Sequence, residues 1–181
     1  MELIVEAGTI LENAVYFLAL INPASKVLML SSFQPKYSWK EIKKISLQSS
    51  TVAFVVLFIL VSAGNFILRS VFHVEIYSLQ IVGGLTLFLI GMSAITRGRF
   101  HRRSPNSDRM KISIVPIAVP LIVGPGTVVA AITFSSDIGL SSTVIALFLA
   151  LVVNCVIMLA SIKLGVIFER LHITEVLIRL T

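Results

Sequence analysis

The sequence predicts an all-α protein, a polytopic membrane helix bundle built as an inverted 3+3 helix repeat with two broken helices. Three observations carry this prediction. The 181 residues are 56% hydrophobic and 13% charged, with a mean hydropathy of +0.98. A soluble domain carries about 25% charged residues to cover its surface. The apolar residues recur in blocks along the whole chain, not as one anchor, and a Pro motif interrupts two of those blocks at matching positions.

A membrane span needs roughly 20 largely apolar residues. Five segments qualify, at about 8–31, 46–68, 76–96, 112–134 and 142–168. The first holds Asn22-Pro23. Its Glu12 reads as an interfacial carboxylate, with proton coupling as the alternative, and Asn13 as an interhelical hydrogen bonder. Lys26 follows the break and is expected to snorkel to the inner surface. The second span has the apolar core Val52–Val61. The third contains Leu85–Ile90, with Gln80 as a further interhelical hydrogen bonder. Its Gly83, Gly84 and Gly91 point to close helix packing. The fourth holds Gly124-Pro125, and the fifth holds Ala146–Val153 followed by Asn154.

The loops set the orientation. Lys36, Lys40, Lys43 and Lys44 lie between spans one and two, and Arg97, Arg99, Arg102, Arg103, Arg109 and Lys111 between spans three and four. Lys163, Arg170 and Arg179 lie near or after the end of span five, while the opposite side has only Arg69. Basic loops stay cytoplasmic, which places the N-terminus outside, and Tyr37 and Trp39 fit an interfacial belt. This topology accounts for the +6 net charge, so no nucleic-acid partner is expected. The first ten residues contain no Lys or Arg, and a cleavable signal peptide is not expected. One cysteine, Cys155, excludes an intrachain disulfide framework.

Span one reads Leu20-Ile21-Asn22-Pro23-Ala24-Ser25, and span four reads Ile122-Val123-Gly124-Pro125-Gly126-Thr127, 102 residues later. The same offset carries 46–68 onto 148–170, in span five, and carries 76–96 onto 178–198, past the last residue. The expected organisation is a first three-helix repeat at 1–98, a basic cytoplasmic loop at 99–111, and a second, inverted repeat at 112–181 lacking its third helix. Paired broken helices in inverted repeats point to a transporter binding site. The structural alternative is a pair of simple kinks, which membrane helices tolerate.

Pro at the first helical position, preceded by Asn or Gly, starts a helix well. Each start leaves unpaired N–H groups and the positive end of a helix dipole, which lipid cannot satisfy. In inverted repeats the two positive ends converge near the midplane, an arrangement suited to a carboxylate. A charge at the bilayer centre costs about 2.5–3.5 kcal/mol, and each helix terminus offsets about 0.3–1 kcal/mol, up to about 2 when partly buried. The carbonyls ending the preceding half-helices are expected to be free for an ammonium group or Na⁺. Ala24 and Gly126 leave space beside the breaks, and Ser25 and Thr127 add hydroxyls. Asn154 either faces this site or makes an interhelical hydrogen bond. The candidate substrate-binding residues are therefore Asn22, Pro23, Ala24, Ser25, Gly124, Pro125, Gly126, Thr127 and Asn154, and the implied ligand is a small zwitterion.

Both aspartates, Asp108 and Asp137, and all three histidines, His73, His101 and His172, are placed in loops. No intramembrane carboxylate pair, Ser–His arrangement, metal-ligand cluster or P-loop is present, so no enzyme and no ATP-driven pump is expected.

The runs LINPASKVLML, YSLQIVGGLTLFLIGMSAI at 77–95 and PIAVPLIVGPGTVVAAI at 116–132 resemble the MarC family, which includes the small neutral amino acid transporters of the SnatA type. GPG preceded by PLIV is the most specific piece. The resemblance implies a prokaryotic inner-membrane protein of six helices that takes up glycine, alanine and similar amino acids, driven by an H⁺ or Na⁺ gradient. It carries the site onto Asn22, Pro23, Ser25, Gly124, Pro125, Gly126 and Thr127. The chain departs from that pattern where a sixth helix is expected. Its expected partners are a small neutral amino acid and the lipid bilayer, with a homo-oligomer left open and no cofactor beyond the coupling ion. The alternatives are a passive channel and a non-transporting scaffold or regulatory protein.

Overall fold

The computed structural model describes residues 2–31, 38–66, 75–97 and 122–170. These form α1 (Glu2–Ile21), α2 (Pro23–Ser31), α3 (Trp39–Phe66), α4 (Ile76–Arg97), α5 (Pro125–Asp137) and α6 (Leu140–Arg170). The described residues contain no strand, and the fold is a helical bundle as the sequence predicts. The first half of span four, the basic loop at 99–111, the three histidines, Asp108 and Tyr37 lie outside the described residues.

Span one is two helices, α1 and α2, joined at Asn22, and spans two, three and five are α3, α4 and α6. The largest departure in boundary is at α3, which begins at Trp39 and not near residue 46. Ser38 and Glu41 explain it. The Ser38 N–H and hydroxyl both donate to Glu41 Oε2 at 2.7 Å, and the Glu41 N–H donates back to Ser38 Oγ at 3.4 Å. This reciprocal S-x-x-E cap starts the helix before the apolar run begins. Asp137 is the last residue of α5 and not a loop residue. A two-residue joint, with Gly139 at φ +87°, then turns the chain into α6. That left-handed conformation is one glycine adopts without strain.

Among the described residues, two helices carry unbroken stretches long and apolar enough to cross a bilayer: Trp39–Gly64 in α3, with a mean hydropathy of 2.1, and Leu140–Ser161 in α6, with 2.7. The apolar part of α4, Tyr77–Ser93, is shorter. Helix α6 is the central element and packs against α1, α2, α3 and α5, while α4 packs against α5. The core joins Phe17 and Ile21 of α1, Leu57 and Val61 of α3, Ile122, Ala131 of α5, and Ala146, Leu147 and Leu151 of α6. Phe54 meets Phe148 edge to face at 5.7 Å between ring centroids, which ties α3 to α6. Outside this core, Leu11 and Val15 on α1, Ile81, Leu85 and Phe88 on α4, and Val156 on α6 are exposed. An apolar exterior around an apolar core is what a bundle facing lipid requires, and soluble monomers seldom expose such patches.

Candidate functional site at the paired helix breaks

At the first break a continuous helix fails for identifiable reasons. Pro23 has no N–H to give to the preceding turn. The Ser25 N–H, which a continuous helix would donate to the Ile21 carbonyl, instead meets Asn22 Oδ1 at 3.4 Å. Asn22 thereby caps α2, with Pro23 at its first position. Asn22 also closes α1, its N–H donating to the Leu18 carbonyl at 3.0 Å. Serving both ends bends its backbone to φ +52°, a left-handed conformation that Asn visits more readily than most side chains. The Ser25 hydroxyl donates to the Asn22 carbonyl at 2.8 Å.

Lys26 corrects two expectations. It does not snorkel, because its side chain is fully buried, with 0% of its surface exposed. Its ammonium turns back across the break and donates to the carbonyl of Ile21, and at 3.3 Å to that of Asn22. The carbonyl end of α1, expected to be free for a ligand cation, already accepts the chain's own ammonium. The cause is the orphaned Ile21 carbonyl, which lies within reach of a long side chain one turn further on.

The second break is built differently. Gly124 precedes α5 with φ −76° and ψ 165° and supplies no side-chain cap, and Pro125 again opens the helix. The Val128 N–H donates to the Gly124 carbonyl at 3.1 Å, which leaves the N–H groups of Gly126 and Thr127 without intrahelical acceptors. Gly126 and Thr127 are buried. The space expected beside Gly126 is occupied by Leu87 of α4, whose methyl carbons lie 2.9 Å from where a Cβ would stand. At the first break, by contrast, Asn22 and Ala24 are exposed and Pro23 and Ser25 half-buried.

The fold brings the two breaks into one core. Ile21, just before the first, and Ile122, just before the second, belong to the same buried cluster, and α1 packs on α5. Phe17 meets Phe134 edge to face at 5.3 Å between centroids, and Tyr16 lies 6.1 Å from the same ring. Helix α6 touches both broken spans and carries Asn154, which is 0% exposed. The expected interhelical hydrogen bond of Asn154 is not what forms. Its Nδ2 donates to Met158 Sδ at 3.5 Å on its own helix, and its Oδ1 is buried without a hydrogen-bond partner among the described residues.

Other polar residues resolve more simply. Asn13 donates within its own helix, to the Thr9 carbonyl at 2.8 Å, and Gln80 is exposed. Glu12 is exposed and accepts the Tyr16 hydroxyl at 3.4 Å. Of the glycines in α4, Gly83 packs closely, against Val129, while Gly84 and Gly91 meet nothing within 4 Å among the described residues. The buried hydroxyls of Ser46, Ser49, Ser50, Thr133 and Ser161 have no hydrogen-bond partner among the described residues, and the sequence reading missed them. Thr51, Thr86, Thr96 and Thr143 show the ordinary alternative, donating to the carbonyl one turn back.

Comparison with known proteins gives the family. A family model described as the MarC family integral membrane protein matches residues 7–181. A UPF0056 membrane protein of Pyrococcus horikoshii is 28% identical over 155 residues, covering 86% of this chain and 77% of that protein. A UPF0056 membrane protein of Buchnera aphidicola from Schizaphis graminum is 36% identical over 121 residues, covering 65% of this chain and 56% of the relative. The UPF0056 inner membrane protein MarC of Escherichia coli is 29% identical over 139 residues, covering 71% of this chain and 62% of the relative. The matched region thus spans from about half to three quarters of these relatives' length. No solved structure matches the chain. On a match that runs through both helix breaks and nearly the whole sequence, the chain belongs to the MarC family of integral membrane proteins.

Proposed function

We propose that this protein is a secondary transporter of small neutral amino acids of the glycine and alanine type, with the substrate held at the paired helix breaks. One observation carries the reading. Two helices start at Pro23 and Pro125, equivalent positions of the two repeats, and the residues preceding them share one buried core. The helix pairings support the repeat. The α2 packing on α6 corresponds to the α5 packing on α3, and α3–α6 pairs equivalent helices.

The N–H groups of Gly126 and Thr127, which lack intrahelical acceptors at the positive end of α5, suit a carboxylate. Lys26 fills the carbonyl end of α1, so the substrate ammonium goes to Asn154 Oδ1, a buried acceptor lacking a partner among the described residues. Leu87 closes over Gly126, which favours substrates with little or no side chain. The protein sits in a prokaryotic inner membrane with its N-terminus outside, acts without catalytic chemistry, and uses an H⁺ or Na⁺ gradient.

The test is uptake of labelled glycine or alanine by proteoliposomes under an imposed H⁺ or Na⁺ gradient. Saturable accumulation above the external concentration is expected. Equilibration without accumulation marks a passive channel. No gradient-dependent uptake of any small amino acid overturns the transporter reading. It would leave a membrane scaffold, for which the filled α1 terminus and the Leu87 contact are structural joints.

A further inference from the structure

The side chain of Lys26 is out of place by the rules of its own helix. It stands in the first turn of α2, at the positive end of that helix dipole, where a cation is disfavoured. It is also fully buried, although a lysine near a helix end ordinarily carries its ammonium to water. What it meets explains both facts. Its acceptors among the described residues are two backbone carbonyls, of Ile21 and Asn22, at the negative end of α1. Carbonyl oxygens at the end of an unwound or interrupted membrane helix are the donor set that takes a monovalent metal ion. The residue at the equivalent position of the second repeat is Val128, so only the first break carries such an ammonium.

We propose that Lys26 is a resident cation: its ammonium fills a monovalent-cation site formed by the Ile21 and Asn22 carbonyls, and removing it exposes that site to Na⁺ or K⁺. The Ile21 carbonyl cannot be satisfied from within the helix, because the Ser25 N–H is committed to Asn22 Oδ1. The Asn22 carbonyl keeps the Ser25 hydroxyl as a second partner. A cation is therefore required at this point of the wild-type fold, and the chain supplies it covalently.

The experiment measures thermal unfolding of the full chain in detergent, in choline, sodium and potassium chlorides at equal ionic strength, so that screening is constant. Wild type is expected to unfold at the same temperature in choline and potassium chlorides, and to shift less in sodium chloride than Lys26→Met does. Lys26→Met, which keeps the apolar stem, is expected to lose about 2–12 °C in choline chloride. It should regain at least half of that loss in sodium or potassium chloride. If Lys26→Met does not accumulate folded, Lys26→Ala purified with propylammonium chloride takes its place, since that ion restores the missing stem and charge. Rescue by propylammonium supports the proposal. A sodium- or potassium-dependent shift in wild type as large as that in Lys26→Met overturns it. So does a Lys26→Met protein indifferent to the cation present, or a Lys26→Ala protein that no cation restores. Neither readout involves a substrate, so the cation site and the transport reading succeed or fail separately.

Discussion

A Cβ added to Gly126 would stand 2.9 Å from both methyl carbons of Leu87, so the first turn of α5 lies directly under α4. The contact is tight, but it falls on the far end of a flexible side chain. Gly126→Ala is therefore expected to cost little. Overpacking costs about 1–3 kcal/mol, and replacing Gly with Ala inside a helix returns up to about 1 kcal/mol. Gly126→Leu has no such room and should fall at or above the top of that range. Leu87→Ala combined with Gly126→Ala should show a coupling of about 0.5–3 kcal/mol in a double-mutant cycle on thermal unfolding. Strict additivity would mean that the two side chains do not meet.

A sharper contrast comes from the adjacent glycines of α4. A Cβ on Gly83 would meet Val129 Cγ2 at 2.5 Å and Val129 Cβ at 3.0 Å, whereas one on Gly84 would meet nothing within 4 Å. Valine is β-branched and stiff, so it cannot swing aside as Leu87 can. Gly83→Ala should destabilise by about 1–3 kcal/mol. Gly84→Ala should be neutral or stabilise by up to about 1 kcal/mol. Unfolding midpoints of the two single variants, compared side by side, check this, and equal midpoints would remove the α4–α5 contact from the account.

How much of this was legible in the sequence follows from the range of each interaction. The breaks were legible, because Pro23 and Pro125 lack an N–H wherever they stand, and the 102-residue offset is arithmetic on the chain. The start of α3 was legible in principle. Ser38 and Glu41 spell a capping box, but a search by hydropathy begins where the apolar run begins. Lys26 was not legible. Snorkelling is the default for a lysine near a helix end, and only the redirected Ser25 N–H shows that a carbonyl one turn back lacks a partner. Leu87 over Gly126 was beyond reach as well, since it depends on how α4 docks on α5, far along the chain.

Asn22 carries two separable demands. Its backbone is left-handed, at φ +52°, and its side chain caps α2. Asn22→Gly relieves the first demand and loses only a few tenths of a kcal/mol on the second. Asn22→Val fails both, through about 1–2 kcal/mol of left-handed strain and about 1 kcal/mol of lost capping. The expected order of unfolding midpoints is wild type close to Asn22→Gly, with Asn22→Val well below. Because Asn22 is exposed, lost burial does not confuse the comparison. A valine variant as stable as the glycine variant would mean that the joint can adopt another backbone.

Asn154 separates a structural from a functional role for the buried centre. Among the described residues its Oδ1 has no hydrogen-bond partner and its Nδ2 has only Met158 Sδ at 3.5 Å, so the amide contributes little to holding the bundle together. Exchanging a poorly paired buried polar group for an apolar one of similar shape is close to neutral or stabilising. Asn154→Leu should therefore unfold at or above the wild-type temperature. If Asn154 receives the substrate ammonium, the same variant should lose the stabilisation a ligand gives. That stabilisation is about 2.7 kcal/mol at a glycine or alanine concentration 100 times Kd, an upward shift of roughly 5–11 °C for a chain of this size. Wild type should show the shift and Asn154→Leu should not, although the variant is no less stable without ligand. A leucine variant that still responds to glycine or alanine would move the ammonium site elsewhere. A leucine variant that loses stability would return Asn154 to a packing role, with its carbonyl satisfied by water between the helices.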